Sequence, residues 1–131
     1  MGIYLNPDSS KFEEAVNSDI YVDKTGLLTY TNSVLHTMQK YICISRPRRF
    51  GKSTAANMLT AYYSRGCDAE QIFSQFEIAK DSGFKKYLNK YNTISVNMQE
   101  ILSRSRSIYE LIERFNKLLI RDLKKEYPDV D

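Results

Sequence analysis

The sequence has no tryptophan, one histidine and two cysteines among its 131 residues. A lone His36 leaves no second imidazole with which to build a metal site. Near the end of a helix its partial positive charge is simply tolerated. Cys43 and Cys67 follow neither a disulfide framework nor a metal-binding spacing, so a reducing, cytoplasmic setting is expected. Three prolines and five glycines are scattered, and no linker, repeat or low-complexity segment interrupts the chain. No run approaches 18 apolar residues and no basic-then-apolar leader opens the sequence, which disfavours membrane spanning and secretion by a cleaved signal.

Net charge is also small. Nineteen basic residues against sixteen acidic ones leave a net +3, compatible with a polyphosphate ligand but too small to argue for a nucleic-acid surface. With 42% hydrophobic and 27% charged residues the composition is that of an ordinary globular domain, and nothing predicts disorder. The length suits one domain, 1–131, with a real core. Ten tyrosines and six phenylalanines supply its aromatic content, tyrosine favouring half-buried positions where the ring packs and the hydroxyl stays wet.

The basic charge that is present crowds into one place. Arg46, Arg48, Arg49 and Lys52 fall within seven residues, between an apolar run ending at Ser45 and an apolar-periodic segment from Ala55 to Tyr63. Strand, basic turn with Gly51-Lys52-Ser53-Thr54, then helix is the order of a phosphate-cradling loop. Backbone N–H groups and the positive end of the helix dipole would converge on an anion there. Gly51 would allow close approach, Lys52 would reach the terminal phosphates, and the Ser53 hydroxyl would hold Mg²⁺. The full pattern wants a glycine where Arg46 stands, and Pro47 removes one amide. The plainer alternative is a solvated basic loop before a capped helix.

Around this loop the pattern predicts short elements. Ser10 with Glu13 resembles a capping box opening a helix through Val16. Thr25 would cap a helix from Gly26 to about Met38. Ile42, Cys43 and Ile44 form the central strand candidate, with Cys43 expected in the core. Ile72 to Ile78 reads as a helical turn and an irregular segment, and a further helix runs from Asp81-Ser82 through Leu88. Asn89 to Asn92 reads as a turn, and Ile94, Val96 and Met98 alternate as a second strand. Ser107 with Glu110 repeats the capping box and launches the longest helix, Ile108 to about Glu126, with Leu111, Phe115 and Leu119 in its stripe. The expected class is therefore α/β, a truncated P-loop core with a small parallel sheet flanked by helices.

Tyr21-Val-Asp-Lys-Thr25, Ser45-Arg-Pro-Arg-Arg-Phe-Gly-Lys-Ser-Thr54, Asn57-Met-Leu59 with Tyr62-Tyr63, and Asn89-Lys-Tyr-Asn-Thr-Ile-Ser-Val-Asn-Met98 together resemble the amino-terminal part of the AAA-ATPase-like family. Its members are P-loop proteins often followed by a PD-(D/E)xK nuclease-like domain. The resemblance implies that Lys52 is the Walker A lysine, that Ser53 ligates Mg²⁺ and that Arg46 belongs to the family's loop. ATP and Mg²⁺ are the implied cofactors, with Arg46, Arg48, Arg49, Phe50, Gly51, Lys52, Ser53 and Thr54 as nucleotide-binding residues. It also implies that Asp23-Lys24 packs near the nucleotide core and that the Walker B strand follows residue 131.

No apolar strand ends in the acid that hydrolysis needs; Glu100 is the nearest one. Turnover by this chain alone is therefore not expected. Two other readings stay open: a non-enzymatic nucleotide-sensing module, and a nucleic-acid-associated protein whose arginines contact backbone phosphate. A short sheet would leave an apolar edge or face exposed, so self-association is a further expectation.

Overall fold

The computed structural model describes residues 4–18, 21–44, 52–97, 102–103 and 106–128, the side chain of Lys52 excepted. In chain order these contain α1 (Ser10–Val16), α2 (Gly26–Val34), α3 (Lys52–Tyr63), α4 (Glu70–Phe73), the 3₁₀ turn η1 (Glu77–Lys80), α5 (Phe84–Tyr87) and α6 (Ile108–Glu126). Local chemistry explains the ends of these helices. At α1 the Asp8 carboxylate accepts from both the amide and the hydroxyl of Ser10, an Asx turn that sets the first helical residue. The cap is thus Ser9 rather than Ser10, and its hydroxyl donates to Glu13 at 3.3 Å.

Helix α2 stops four residues short of the expected Met38. Ser33 and Thr37 donate their hydroxyls to the carbonyls of Tyr30 and Val34, offering the backbone an alternative to further helix. Leu35 is then extended and His36 takes a φ of 63°. At α6 the expected capping box forms: Ser107 accepts from the Glu110 amide at 3.2 Å. The returning carboxylate bonds the Arg106 amide at 3.1 Å, one residue earlier than the usual pairing.

The core gathers around α3. Met58, Ala61 and Tyr62 are buried on one face and meet Phe12 of α1, Leu28 of α2 and Phe73 of α4 in one cluster. Phe12 stacks on Phe73 at 5.0 Å, and Tyr62 meets Phe73 edge-on at 5.4 Å. Each such side chain stabilises the fold by about 1.5–3 kcal/mol through burial alone. Ile78 and Phe84 extend the cluster to η1 and α5.

The expected parallel sheet is not found among the described residues. Two isolated bridges occur instead, Leu5 with Ile94 antiparallel and Ser64 with Tyr91 parallel. The strand candidate Ile42–Ile44 carries no bridge; Tyr41 is 86% exposed, and Ile42, Cys43 and Ile44 are all exposed. A strand needs a neighbour for its amides and carbonyls, and among the described residues none is bridged to this run. Cys43, expected in the core, is therefore at the surface. The second candidate fares partly better, because Ile94 and its neighbours pair with residues 4–6: Asn6 N–H donates to Thr93 O at 2.7 Å and Ser95 N–H to Tyr4 O at 2.8 Å. Met98 lies outside the described residues.

Candidate functional site

Helix α3 is described over Lys52–Tyr63, so Lys52, Ser53 and Thr54 of the expected string fall in it and Gly51 lies outside the described residues. The first four N–H groups of any helix lack intrahelical acceptors and lie at its positive end. Ser53 is exposed and Thr54 half-buried in the first described turn of α3. Arg46, Pro47, Arg48, Arg49, Phe50 and Gly51 lie outside the described residues, as does Glu100. On the approach, Lys40 Nζ sits 5.4 Å from the centre of the Tyr41 ring.

What holds α3 in place is concentrated at its other end. Asn89, with a φ of 53°, turns its amide nitrogen onto the carbonyls of Ala61, Tyr62 and Ser64 at 2.8–3.2 Å. Those carbonyls include ones a helix leaves unsatisfied at its C-terminus. The Asn89 Oδ1 accepts from the Ala69 amide at 3.0 Å, and the Asn89 amide donates to Tyr62 O at 2.6 Å. A side-chain network adds a second lock. Tyr62 donates to Phe84 O at 2.7 Å and accepts from Asn32, while Tyr63 lies 2.6 Å from both Asn32 Oδ1 and Thr31 Oγ1. Burial pushes both phenols up from their ordinary value, Tyr63 far enough to stay protonated at any physiological pH. They act here as neutral struts.

The Tyr21-Val-Asp-Lys-Thr25 segment is occupied with structure. Asp23 accepts from the Thr25 amide and hydroxyl at 2.8 and 2.6 Å and from the Glu77 amide at 2.9 Å. Thr25 is fully buried and accepts from the Ile78 amide at 3.1 Å. Both Asp23 oxygens are thereby committed to tying α2 to η1. Partial burial raises the Asp23 pKa, but the bonds from Thr25 and Glu77 and the charge of Lys80 outweigh it and hold the carboxyl below its ordinary value. His36 is exposed, its Nε2 3.4 Å from the Tyr91 hydroxyl.

Sequence reasoning did not single out Asn89 or Asp122. The first looked like one more turn residue; a left-handed asparagine is a usable signal only when its side chain is known to reach a helix end. Asp122 is buried and accepts from the Tyr4 and Leu5 amides at 2.7 and 3.3 Å. A carboxylate inside an apolar helical stripe was the available clue. Among the described residues no three His, Cys, Asp or Glu side chains gather as a metal site, and no helix is long and apolar enough to cross a membrane.

A family model described as Predicted AAA-ATPase, that of the AAA-ATPase-like family, matches residues 9–130. No curated protein and no solved structure matches the chain.

Proposed function

Because this chain belongs to the AAA-ATPase-like family, we propose that it carries the phosphate-gripping part of an ATP-binding, Mg²⁺-dependent nucleoside triphosphatase. The observation that carries this reading is that Lys52, Ser53 and Thr54 lie in the first described turn of α3, with the helix fastened at its far end by Asn89 and the two tyrosines. A helix start fixed by its own core is a prepared anion site that loses little freedom on binding. In this reading the amides of residues 48–53 hold the β- and γ-phosphates and Lys52 offsets their charge. Arg46, Arg48 and Arg49 supply forked donors to the remaining oxygens, and Phe50 and Thr54 complete the loop.

The exposed Ser53 hydroxyl fits Mg²⁺, a hard cation that takes one or two protein oxygens beside phosphate and water. When bound, the ion neutralises charge between the β- and γ-phosphates. Hydrolysis also requires a carboxylate at a strand end, and the sequence pairs no such acid with an apolar strand. Nucleotide binding is therefore the activity assigned to these residues, with turnover slow or absent in this chain alone.

Calorimetric titration with ATP and Mg²⁺ tests it. The wild-type chain is expected to give saturable heat, and Lys52→Ala to bind at least about tenfold more weakly, as loss of a charge-assisted hydrogen bond predicts, with an unchanged helical circular-dichroism spectrum. A wild-type chain that gives no heat would overturn the reading.

A further inference from the structure

Helix α6 has the local means to hold itself together. The Ser107–Glu110 box closes its first turn, Glu110 pairs with Arg114 at 3.7 Å, and Lys124 and Lys125 sit at the end where the dipole favours cations. Yet among the described residues it makes no helix-on-helix packing of the kind that joins α1 to α3 or α2 to η1. Its buried Leu111 stands outside the aromatic cluster around α3, as does the buried Leu5. What α6 meets is a strap formed by residues 4–6.

Leu111, Phe115, Leu118 and Asp122 recur at helical spacing and so share one face. All four are buried or half-buried. The Tyr4 ring lies 5.5 Å from that of Phe115. A single Asp122 oxygen, Oδ2, accepts from the amides of both Tyr4 and Leu5, at 2.7 and 3.3 Å. Just past the helix, Tyr127 donates its hydroxyl to Asn92 Oδ1 at 2.7 Å. These three contacts fall at or beyond Phe115. Nearer the start of the helix, Ile108 is 71% and Ile112 50% exposed.

The other edge of the strap is bonded more densely. Asn6 N–H donates to Thr93 O and Thr93 N–H to Asn6 Oδ1, both at 2.7 Å, and Ser95 N–H donates to Tyr4 O at 2.8 Å. The Asn6 side-chain amide adds a bond to Asn92 Oδ1 at 3.0 Å. Tyr91, beside these residues, is in turn bonded to Tyr63 O and the Arg65 amide at the end of α3. The strap therefore belongs to the body, and the weaker joint lies between the strap and α6. We propose that α6 is a latched arm, which parts from the body as one unit while residues 4–6 stay behind, and that Asp122 is the latch. Opening returns the Tyr4 and Leu5 amides to water and exposes Leu111 and Phe115. It leaves the Asn89 cap and the aromatic cluster of α3 untouched. A unit joined by few apolar contacts opens more often than the whole domain unfolds.

Native-state hydrogen exchange followed by NMR on the 131-residue chain is the test. The α6 amides are expected to exchange through a shared opening, at least about tenfold more populated than the one that exposes the amides of residues 58–62 in α3. Asp122→Ala is expected to raise the α6 opening by roughly tenfold or more, as loss of charge-assisted hydrogen bonds predicts, and to change exchange at 58–62 by less than about twofold. Tyr4→Ala removes the ring against Phe115 but keeps the backbone amides that Asp122 accepts from, so it is expected to act on the same α6 amides in the same direction. Exchange of α6 and α3 through one common unfolding event in the wild type would overturn the latch. So would an Asp122→Ala variant that leaves α6 unchanged, loosens α3 equally or loses the α3 core, or a Tyr4→Ala variant that loosens α3 and spares α6.

Discussion

Asn89 occupies the left-handed region at a φ of 53°, which asparagine tolerates better than most residues. Its amide stands in for the missing last turn of α3 by serving three carbonyls, and its oxygen takes the Ala69 amide. Replacement by alanine removes those bonds and adds backbone strain. Glycine removes only the bonds. Urea denaturation is therefore expected to show Asn89→Ala destabilised by about 2–4 kcal/mol and Asn89→Gly by less, the difference measuring the strain. Ser64, next to this cap, is fully buried, and its hydroxyl has no hydrogen-bond partner among the described residues. That is a local cost the surrounding bonds must outweigh. The asparagine's residue type was legible as a turn former, but its long reach was not, because a side chain that caps a helix 25–28 residues away leaves no local pattern.

The elements are tied by a few carboxylates placed at their ends. Asp23 joins the start of α2 to η1 through three hydrogen bonds, all of which favour its charged form. Its folded-state pKa is lowered from the model-compound value of 3.8, so the carboxylate's contribution is complete above that value. It is lost as pH falls through the lower, folded one. Thermal melts between pH 6 and pH 2.5 are expected to show wild type losing stability on the acid side more steeply than Asp23→Asn, with the two curves converging at the lowest pH. Equal acid limbs would show that Asp23 does not carry the linkage. Tyr21-Val-Asp-Lys-Thr25 reads from sequence as a turn and a cap. The cap role fails in one respect, since no side-chain bond closes the N-terminus of α2. The Thr25 hydroxyl is instead spent on Asp23 and Ile78, a use visible only once η1 has folded back against it.

At the scale of the whole molecule, stability rests on one aromatic cluster between α1, α3 and α4. Phe12 is fully buried and stacks on Phe73, joining α1 to the cluster that α3 and α4 share. Phe12→Ala is expected to cost about 3–5 kcal/mol, enough to abolish a cooperative thermal transition in a domain whose total stability is of order 5–15 kcal/mol. A cooperative melt lowered by only a few degrees would place the core elsewhere. The sequence alone determined the elements whose signals are local and redundant: α6 from its capping box and apolar stripe, and α3 from its spacing of Met58 and Tyr62. The family was legible for the same reason, through short strings that hold their meaning out of context. Only the tertiary structure decided what became of Ile42–Ile44 and Ile94–Asn97, because β-branched alternation states a capacity to pair and says nothing of whether a partner strand is alongside. Their backbones meet no sheet among the described residues, so the same apolar pattern that promised a core strand lies exposed at residues 42–44 and makes a single bridge at Ile94.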